Sequence, residues 1–243
     1  EYVDAFRNFI QNITSGGILV YNEEDENLVK LVDEAENYFR KMPYKTPNYE
    51  TKNGKTSLET EMGQIPLKIF GKHNLLNLEG ARLICNQLGI LDEDFYEAMM
   101  SFSGASKRLE KVKRNDGVIL YRDFAHAPSK VKASVEAFAE QFPAMKKVGV
   151  LELHTYSSLN PEFLPQYKNT LAQLDKAVVF YDLEALKIKN MTPISPELIK
   201  DSFGKENLQV FTNADDLKNF WKNLEKSNTA FLMMSSGDLG GIS

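Results

Sequence analysis

The chain has one cysteine, Cys85, among its 243 residues, so no internal disulfide framework can form. A lone thiol on the apolar side of a predicted helix reads as a small core residue and fits a reducing compartment. No apolar run approaches the roughly 20 residues that span a bilayer, and no charged, apolar and small-residue signal opens the chain. The expectation is a cytoplasmic protein with no membrane partner. Positive charge is also short: 29 lysines and arginines face 34 aspartates and glutamates, for a formal net charge of −5. Without a basic stripe, nucleic-acid binding by broad phosphate neutralisation has no support, and any anionic ligand must be held by a local cluster. No G-x-G-x-x-G follows a strand-like run, which counts against a nicotinamide-dependent dehydrogenase. Gly54-Lys55-Thr56-Ser57 looks like the end of a phosphate-binding loop. Tyr49, however, stands where the leading glycine is needed, and a charged hairpin replaces the strand before and the helix after.

What is present is a regular alternation of helical and strand-like patterns. Helices are expected over Glu1–Asn12 and Asn27–Arg40, with a buried strand over Gly17–Asn22. Between Met42 and Phe70 the pattern shifts to edge-like strands around a turn at Asn53-Gly54. Further helices are expected from Leu75 to Leu88, closed by Gly89, and from Asp92 to about Phe102, with Leu91 and Tyr96 spaced as a hydrophobic staple. The small polar stretch Ser101–Ser106 marks a boundary, giving domains 1–102 and 103–243. Beyond it, strands at Val118–Asp123, Lys147–Leu153, Ala177–Tyr181, Leu208–Phe211 and Ala230–Met234 alternate with helices at Ser129–Phe142, Pro161–Leu174, Pro196–Phe203 and Ala214–Glu225. Such alternation predicts an α/β fold with a mainly parallel sheet covered on both faces. Ligand contacts then belong just past the strand carboxyl ends, where Asp123, His126, His154, Asp182, Asn213 and the glycines from Gly237 to Gly241 fall.

All three histidines lie in unusual clusters: Gly71-Lys72-His73-Asn74-Leu75-Leu76-Asn77, Asp123-Phe124-Ala125-His126-Ala127-Pro128-Ser129-Lys130, and Glu152-Leu153-His154-Thr155-Tyr156-Ser157-Ser158. In the first, Asn74 suits an N-cap, and His73 and Asn77 add polar atoms at the same helix start. In the second, Pro128 fits the first turn of a helix whose free amides favour an anion, and Arg108 offers a guanidinium for the same anion. Asp123 and His126 also admit a plain reading, as a loop-capping acid and a surface ring. In the third, Ser157 and Ser158 back His154.

Taken in order with Lys107-Arg108-Leu109-Glu110, these motifs resemble the Mur ligases, the amide-forming enzymes of bacterial peptidoglycan, along nearly the entire chain. The ending Met234-Ser235-Ser236-Gly237-Asp238-Leu239-Gly240-Gly241-Ile242 is most similar to the peptidoglycan-recycling branch, which adds an L-alanyl-γ-D-glutamyl-meso-diaminopimelate tripeptide to UDP-N-acetylmuramate. The branch that adds L-alanine is the alternative. The resemblance implies an ATP- and Mg²⁺-dependent ligase working through an acyl phosphate, with a Rossmann-like C-terminal domain preceded here by the last part of a central ATPase domain. The half bearing the true phosphate-binding loop would lie outside this sequence, and the chain alone would be inactive. By the same resemblance His73, Asn74 and Asn77 contact adenine and ribose, Arg108 the ATP phosphates as the catalytic cation, Asp123 the ribose, and Phe124 and His126 the adenine surroundings. His154 and Ser157 face an amino-acid or peptide amine, Gly237 shapes its pocket, and no side chain is assigned to a metal. Ala127 and Phe124 depart from the histidine and tyrosine common in close relatives. A non-catalytic nucleotide-binding module is the alternative of another class. Lys107 is expected to point into solvent.

Overall fold

The computed structural model describes residues 2–115 and 117–241, so Glu1 and Ile242 lie outside the described residues. Two compact units divide the chain: Glu1–Thr51 with Lys55–Phe102, and Lys52–Gly54 with Ser103–Ser243.

In the first stretch α1 (Tyr2–Gln11), β1 (Gly17–Asn22), α2 (Glu26–Asp33) and β2 (Phe39–Tyr44) gather Ile10, Leu19, Leu31, Val32 and Phe39 into one buried cluster. α2 starts where Asp25 caps the amides of Asn27 and Leu28. It does not run to Arg40 as the spacing predicts. Phe39 reaches the core from a strand instead, between exposed Tyr38 and Arg40, and β2 pairs in parallel with β1 from Gly17↔Phe39 to Asn22↔Tyr44. A single apolar residue satisfies both periods, so the backbone ladder with β1 decides.

β3 (Tyr49–Lys52), β4 (Lys55–Thr60) and β5 (Gly63–Leu67) form a three-stranded sheet. Asn53 at φ 52° and Gly54 at φ 72° make the tight left-handed turn that the Asn-Gly pair encodes. Lys55 and Thr56 therefore sit in a strand and not in a phosphate loop. α3 (Lys72–Gln87) ends in a Schellman arrangement: Gly89, at φ 86°, donates its N–H to the Asn86 carbonyl, and Ile90 to that of Cys85. α4 (Asp92–Ser101) follows and packs Phe95 and Tyr96 against Leu58, Leu75 and Leu78.

The second unit is a six-stranded sheet in the order β10-β9-β8-β11-β7-β6, built from β6 (Glu110–Asn115), β7 (Val118–Asp123), β8 (Lys146–Glu152), β9 (Lys176–Phe180), β10 (Gln209–Phe211) and β11 (Thr229–Met234). β7 to β11 are parallel, and only β6 is antiparallel to its neighbour. The helices are α5 (Pro128–Gln141), α6 (Leu183–Ile188), α7 (Pro196–Phe203) and α8 (Ala214–Asn223). The α/β class with a mainly parallel sheet is thus observed. β6 was not expected, because the charges Glu110, Lys111, Lys113 and Arg114 mask any apolar alternation on this edge strand.

The helix expected over Pro161–Leu174 does not form; only a 3₁₀ turn at Leu164–Tyr167 is present. Pro165 lacks an amide hydrogen and Asn169 is left-handed at φ 63°, so continuous helix is blocked. Leu164, Tyr167, Leu171 and Leu174 are buried all the same, and Tyr167 stacks on Phe203 at 5.0 Å. The apolar spacing reported burial rather than helix.

β11 is inserted between β7 and β8, so the chain leaves β7, passes over α5 and re-enters one strand further along. The carboxyl ends of β7, β11 and β8 lie side by side at this reversal, where open α/β sheets gather their ligand contacts.

Candidate functional site

Along β7, Ile119, Tyr121 and Asp123 are buried, and Tyr121 packs on Phe138 and Phe142 beneath α5. Asp123, the last residue of the strand, is 3% exposed. One carboxylate oxygen accepts the Ala125 N–H at 3.0 Å and the other the Ser134 hydroxyl at 2.8 Å. Its carbonyl accepts the Ser235 N–H at 3.0 Å, which ties the end of β11 to the end of β7. A carboxylate has about four acceptor positions, so two remain after these bonds.

The loop after Asp123 brings three expected residues together. The Arg108 guanidinium lies 5.6 Å from the centre of the Phe124 ring, and His126 meets the same ring edge-on at 5.3 Å. His126 Nδ1 is 2.8 Å from the Phe124 carbonyl oxygen, and the His126 carbonyl accepts the hydroxyl of Tyr167. Burial pushes that phenol well above its ordinary range. Phe124 also donates its N–H to the Lys107 carbonyl at 2.8 Å, which anchors the Arg108 segment to β7. α5 begins at Pro128 with Ala127 as N-cap and no side-chain cap, so its first amides are open to an acceptor.

On the β8 side the organising residue is Glu152, the first residue of the third histidine motif. It is 4% exposed, and its Oε2 accepts the Ser235 hydroxyl and, at 3.1 Å, the Leu239 N–H. Its Oε1 stands 3.9 Å from His154 Nδ1. A side chain on Gly237 would meet Glu152 Oε2 at 2.8 Å, so glycine is needed there for close approach. The signal in the sequence is an acid closing the apolar run Val148–Leu151. His154 is exposed and linked to Ser157 only through the chain: Thr155 Oγ1 and Ser157 Oγ are 3.2 Å apart, and Ser158 closes the same turn. Asp182 caps Glu184 and Asn213 caps α8, which are structural tasks.

In the first unit, His73, Asn74 and Asn77 lie in the first turns of α3. Asn74 is not the N-cap. The helix begins at Lys72, Gly71 at φ 89° precedes it, and the Asn74 amide donates to the Phe70 carbonyl at 2.9 Å. The left-handed conformation open to glycine lets the helix start earlier than a capping residue alone suggests. Among the described residues no group of three His, Cys, Asp or Glu side chains is placed to hold a metal ion, and no helix is long and apolar enough to cross a membrane.

No family model matches the chain. It is 29% identical over 206 residues to a UDP-N-acetylmuramate–L-alanine ligase of Caldicellulosiruptor bescii, covering 80% of this chain and 45% of that protein. Among solved structures it is similar to UDP-N-acetylmuramate-alanine ligase of Thermotoga maritima, with TM-score 0.68, 20% identity, and 98% of this chain and 52% of that one covered. It is also similar to a murein peptide ligase of Psychrobacter arcticus, with TM-score 0.64, 15% identity and coverages of 99% and 52%. The chain spans about half the length of the curated relatives it matches. The likeness to these two solved structures shows a shared fold.

Proposed function

We propose that this chain is the C-terminal part of an ATP-dependent ligase that joins UDP-N-acetylmuramate to an amine in building peptidoglycan. The observation that carries the reading is the grouping of Arg108, Phe124 and His126 at the carboxyl end of β7, beside the uncapped start of α5. Two aromatic faces, a guanidinium and open helix amides are what a nucleotide's base and phosphates require. ATP therefore fits these residues. When bound, it would supply the phosphoryl group that activates a carboxylate toward an amine.

The chain's own groups have separate tasks in this reading. Arg108 holds phosphate charge in bidentate fashion, Phe124 and His126 form the adenine surroundings, and Asp123 accepts from ribose with its remaining lone pairs. In the first unit His73, Asn74 and Asn77 are assigned to adenine and ribose. His154 and Ser157 face the amine substrate, and Gly237 leaves room beside it. Among the described residues no cluster of His, Cys, Asp or Glu side chains is placed to hold Mg²⁺.

L-alanine is the amine favoured by the curated relative, whereas the tripeptide of the recycling branch is favoured by the C-terminal motif and by the likeness to the murein peptide ligase. The test uses the complete protein with ATP and UDP-N-acetylmuramate. ADP release that depends on L-alanine establishes the first reading, dependence on the tripeptide the second, and release with neither amine rejects both.

A further inference from the structure

Within the second unit a cavity of about 270 Å³ opens on the sheet face opposite Asp123. Strand alternation sets this: Tyr121 and Asp123 point beneath α5, while Leu120 and Arg122 point to the other face, where Leu120 packs in the cluster of Met233, Leu217 and Trp221. The cavity is walled by Trp221 and Met233, floored by the turn at Gly237 and Leu239, and lined by two cations, Lys107 and Arg122.

Arg122 would ordinarily be neutralised by Glu110, directly opposite it on β6. Glu110 is engaged elsewhere: its carboxylate accepts the Lys107 N–H at 2.8 Å. Among the described residues Arg122 has no carboxylate within ion-pair reach, and Lys107 has none either. The remaining charge on the lining, Asp238, turns its carboxylate to the Gly240 N–H at 3.1 Å. One net positive charge is left facing an apolar, aromatic-walled space.

The backbone around the cavity is also constrained. Of the eight described non-glycine residues with positive φ, five are asparagines, which tolerate that region, and the other three are Lys107, Leu109 and Leu239. Lys107 and Leu239 both line the cavity, at φ 55° and 54°. Sparsely allowed backbone gathers where a ligand contact is being shaped.

We propose that this cavity binds a small organic anion, a carboxylate or phosphate head on an apolar body, with Arg122 taking the head and Trp221 the body. Its volume lies just under the roughly 300 Å³ at which small-ligand pockets begin, so the occupant is no larger than a single substituted ring. None of the side chains proposed to hold the nucleotide or the amine, Arg108, His154 and Ser157 among them, lines it. Gly237 borders both.

Trp221 is the single tryptophan of the chain, so its emission reports the cavity directly. The 243-residue chain is titrated with benzoate, phenyl phosphate and inorganic phosphate, in the absence of ATP and UDP-sugar. Benzoate or phenyl phosphate is expected to give a saturable change that inorganic phosphate does not reproduce. Arg122→Gln is expected to weaken it at least tenfold, Lys107→Gln by a smaller factor, and Lys146→Gln, at the amino end of β8, not at all. Circular dichroism checks that each variant is folded. No saturable change, an unaltered Arg122→Gln, an equal effect of inorganic phosphate, or an equal loss in Lys146→Gln overturns the proposal. Displacement of benzoate by L-alanine overturns it too, by making the cavity part of the amine site. None of these readings uses turnover, so the ligase reading stands or falls separately.

Discussion

Glu152 at the end of β8 accepts the hydroxyl hydrogen of Ser235 just past β11, joining two neighbouring strand ends whose residues lie 83 positions apart. The same oxygen takes the Leu239 N–H, so one buried carboxylate fixes the turn that carries Gly237. With its other oxygen near His154, it couples the third histidine motif to the C-terminal glycines.

Glu152→Gln keeps the side chain's shape and one acceptor oxygen but removes the negative charge from the two bonds that oxygen accepts. Bonds to a charged acceptor are worth roughly 1 kcal/mol more than neutral ones, so the variant is expected to lose about 1–2 kcal/mol of stability. Urea unfolding followed by circular dichroism measures it; a midpoint equal to that of the parent chain rules out this organising role.

At Gly80, within α3, two effects oppose each other. Alanine is a better helix former than glycine by about 1 kcal/mol. A Cβ at Gly80 would meet Tyr44 Cζ at 2.9 Å and Cε1 at 3.2 Å, and overpacking of a rigid ring costs about 1–3 kcal/mol. Gly80→Ala is therefore expected to be destabilising by roughly 1 kcal/mol, the difference of those two ranges. Combined with Tyr44→Leu, the alanine should turn neutral or favourable. A stabilised single variant in thermal unfolding contradicts the packing argument.

Arg82 bridges Glu79 at 2.5 Å and Asp92 at 2.9 Å, and the Asn86 amide also donates to Asp92. Burial alone would raise the Asp92 carboxyl, but the Asn86 amide and the Arg82 guanidinium outweigh it and hold it below its usual value. A depressed folded pKa gives stability that is present above the unfolded value of about 3.9 and is lost as pH falls through the folded one. Because the Asp92 side chain is 41% exposed, solvent screening limits the effect to about 0.5–1 kcal/mol. The stability difference between the parent and Asp92→Asn, followed by urea unfolding from pH 7 to pH 3, is expected to shrink as the pH falls. A difference that grows toward low pH has the wrong sign for this account.

Arg108→Lys keeps the charge and loses the planar fork. In the complete protein, under the ligase reading, turnover is expected to fall about ten- to a hundredfold, the equivalent of one charge-assisted contact. Lys107→Ala, at the adjacent residue, is expected to leave turnover unchanged. Steady-state ADP release compares the two, and a fully active Arg108→Lys removes the phosphate-clamp assignment.

The sequence by itself determined the α/β class. The apolar runs from Val118 to Tyr121 and from Ala230 to Met234 are too continuous for one-sided strands, and Gly89 and Asn53-Gly54 carry backbone preferences that act locally. Residues with local tasks were legible for the same reason, including Pro128 at the first turn of α5. Tertiary structure decided the rest. Phe39 joined a strand because β1 offered a ladder, and the Pro161–Leu174 segment buried its apolar residues without a helix because Pro165 and Asn169 forbid one. β6 emerged only through pairing with β7, since nothing in its charged sequence distinguishes it from a loop. The site divides along the same line. Its motifs were visible as clusters, but that Glu152 grips Ser235, and that Glu110 turns away from Arg122, depend on which strands lie side by side. Strand order is a long-range property: local periodicity sets which face of a strand is buried, and only the competition among all possible pairings sets its neighbours.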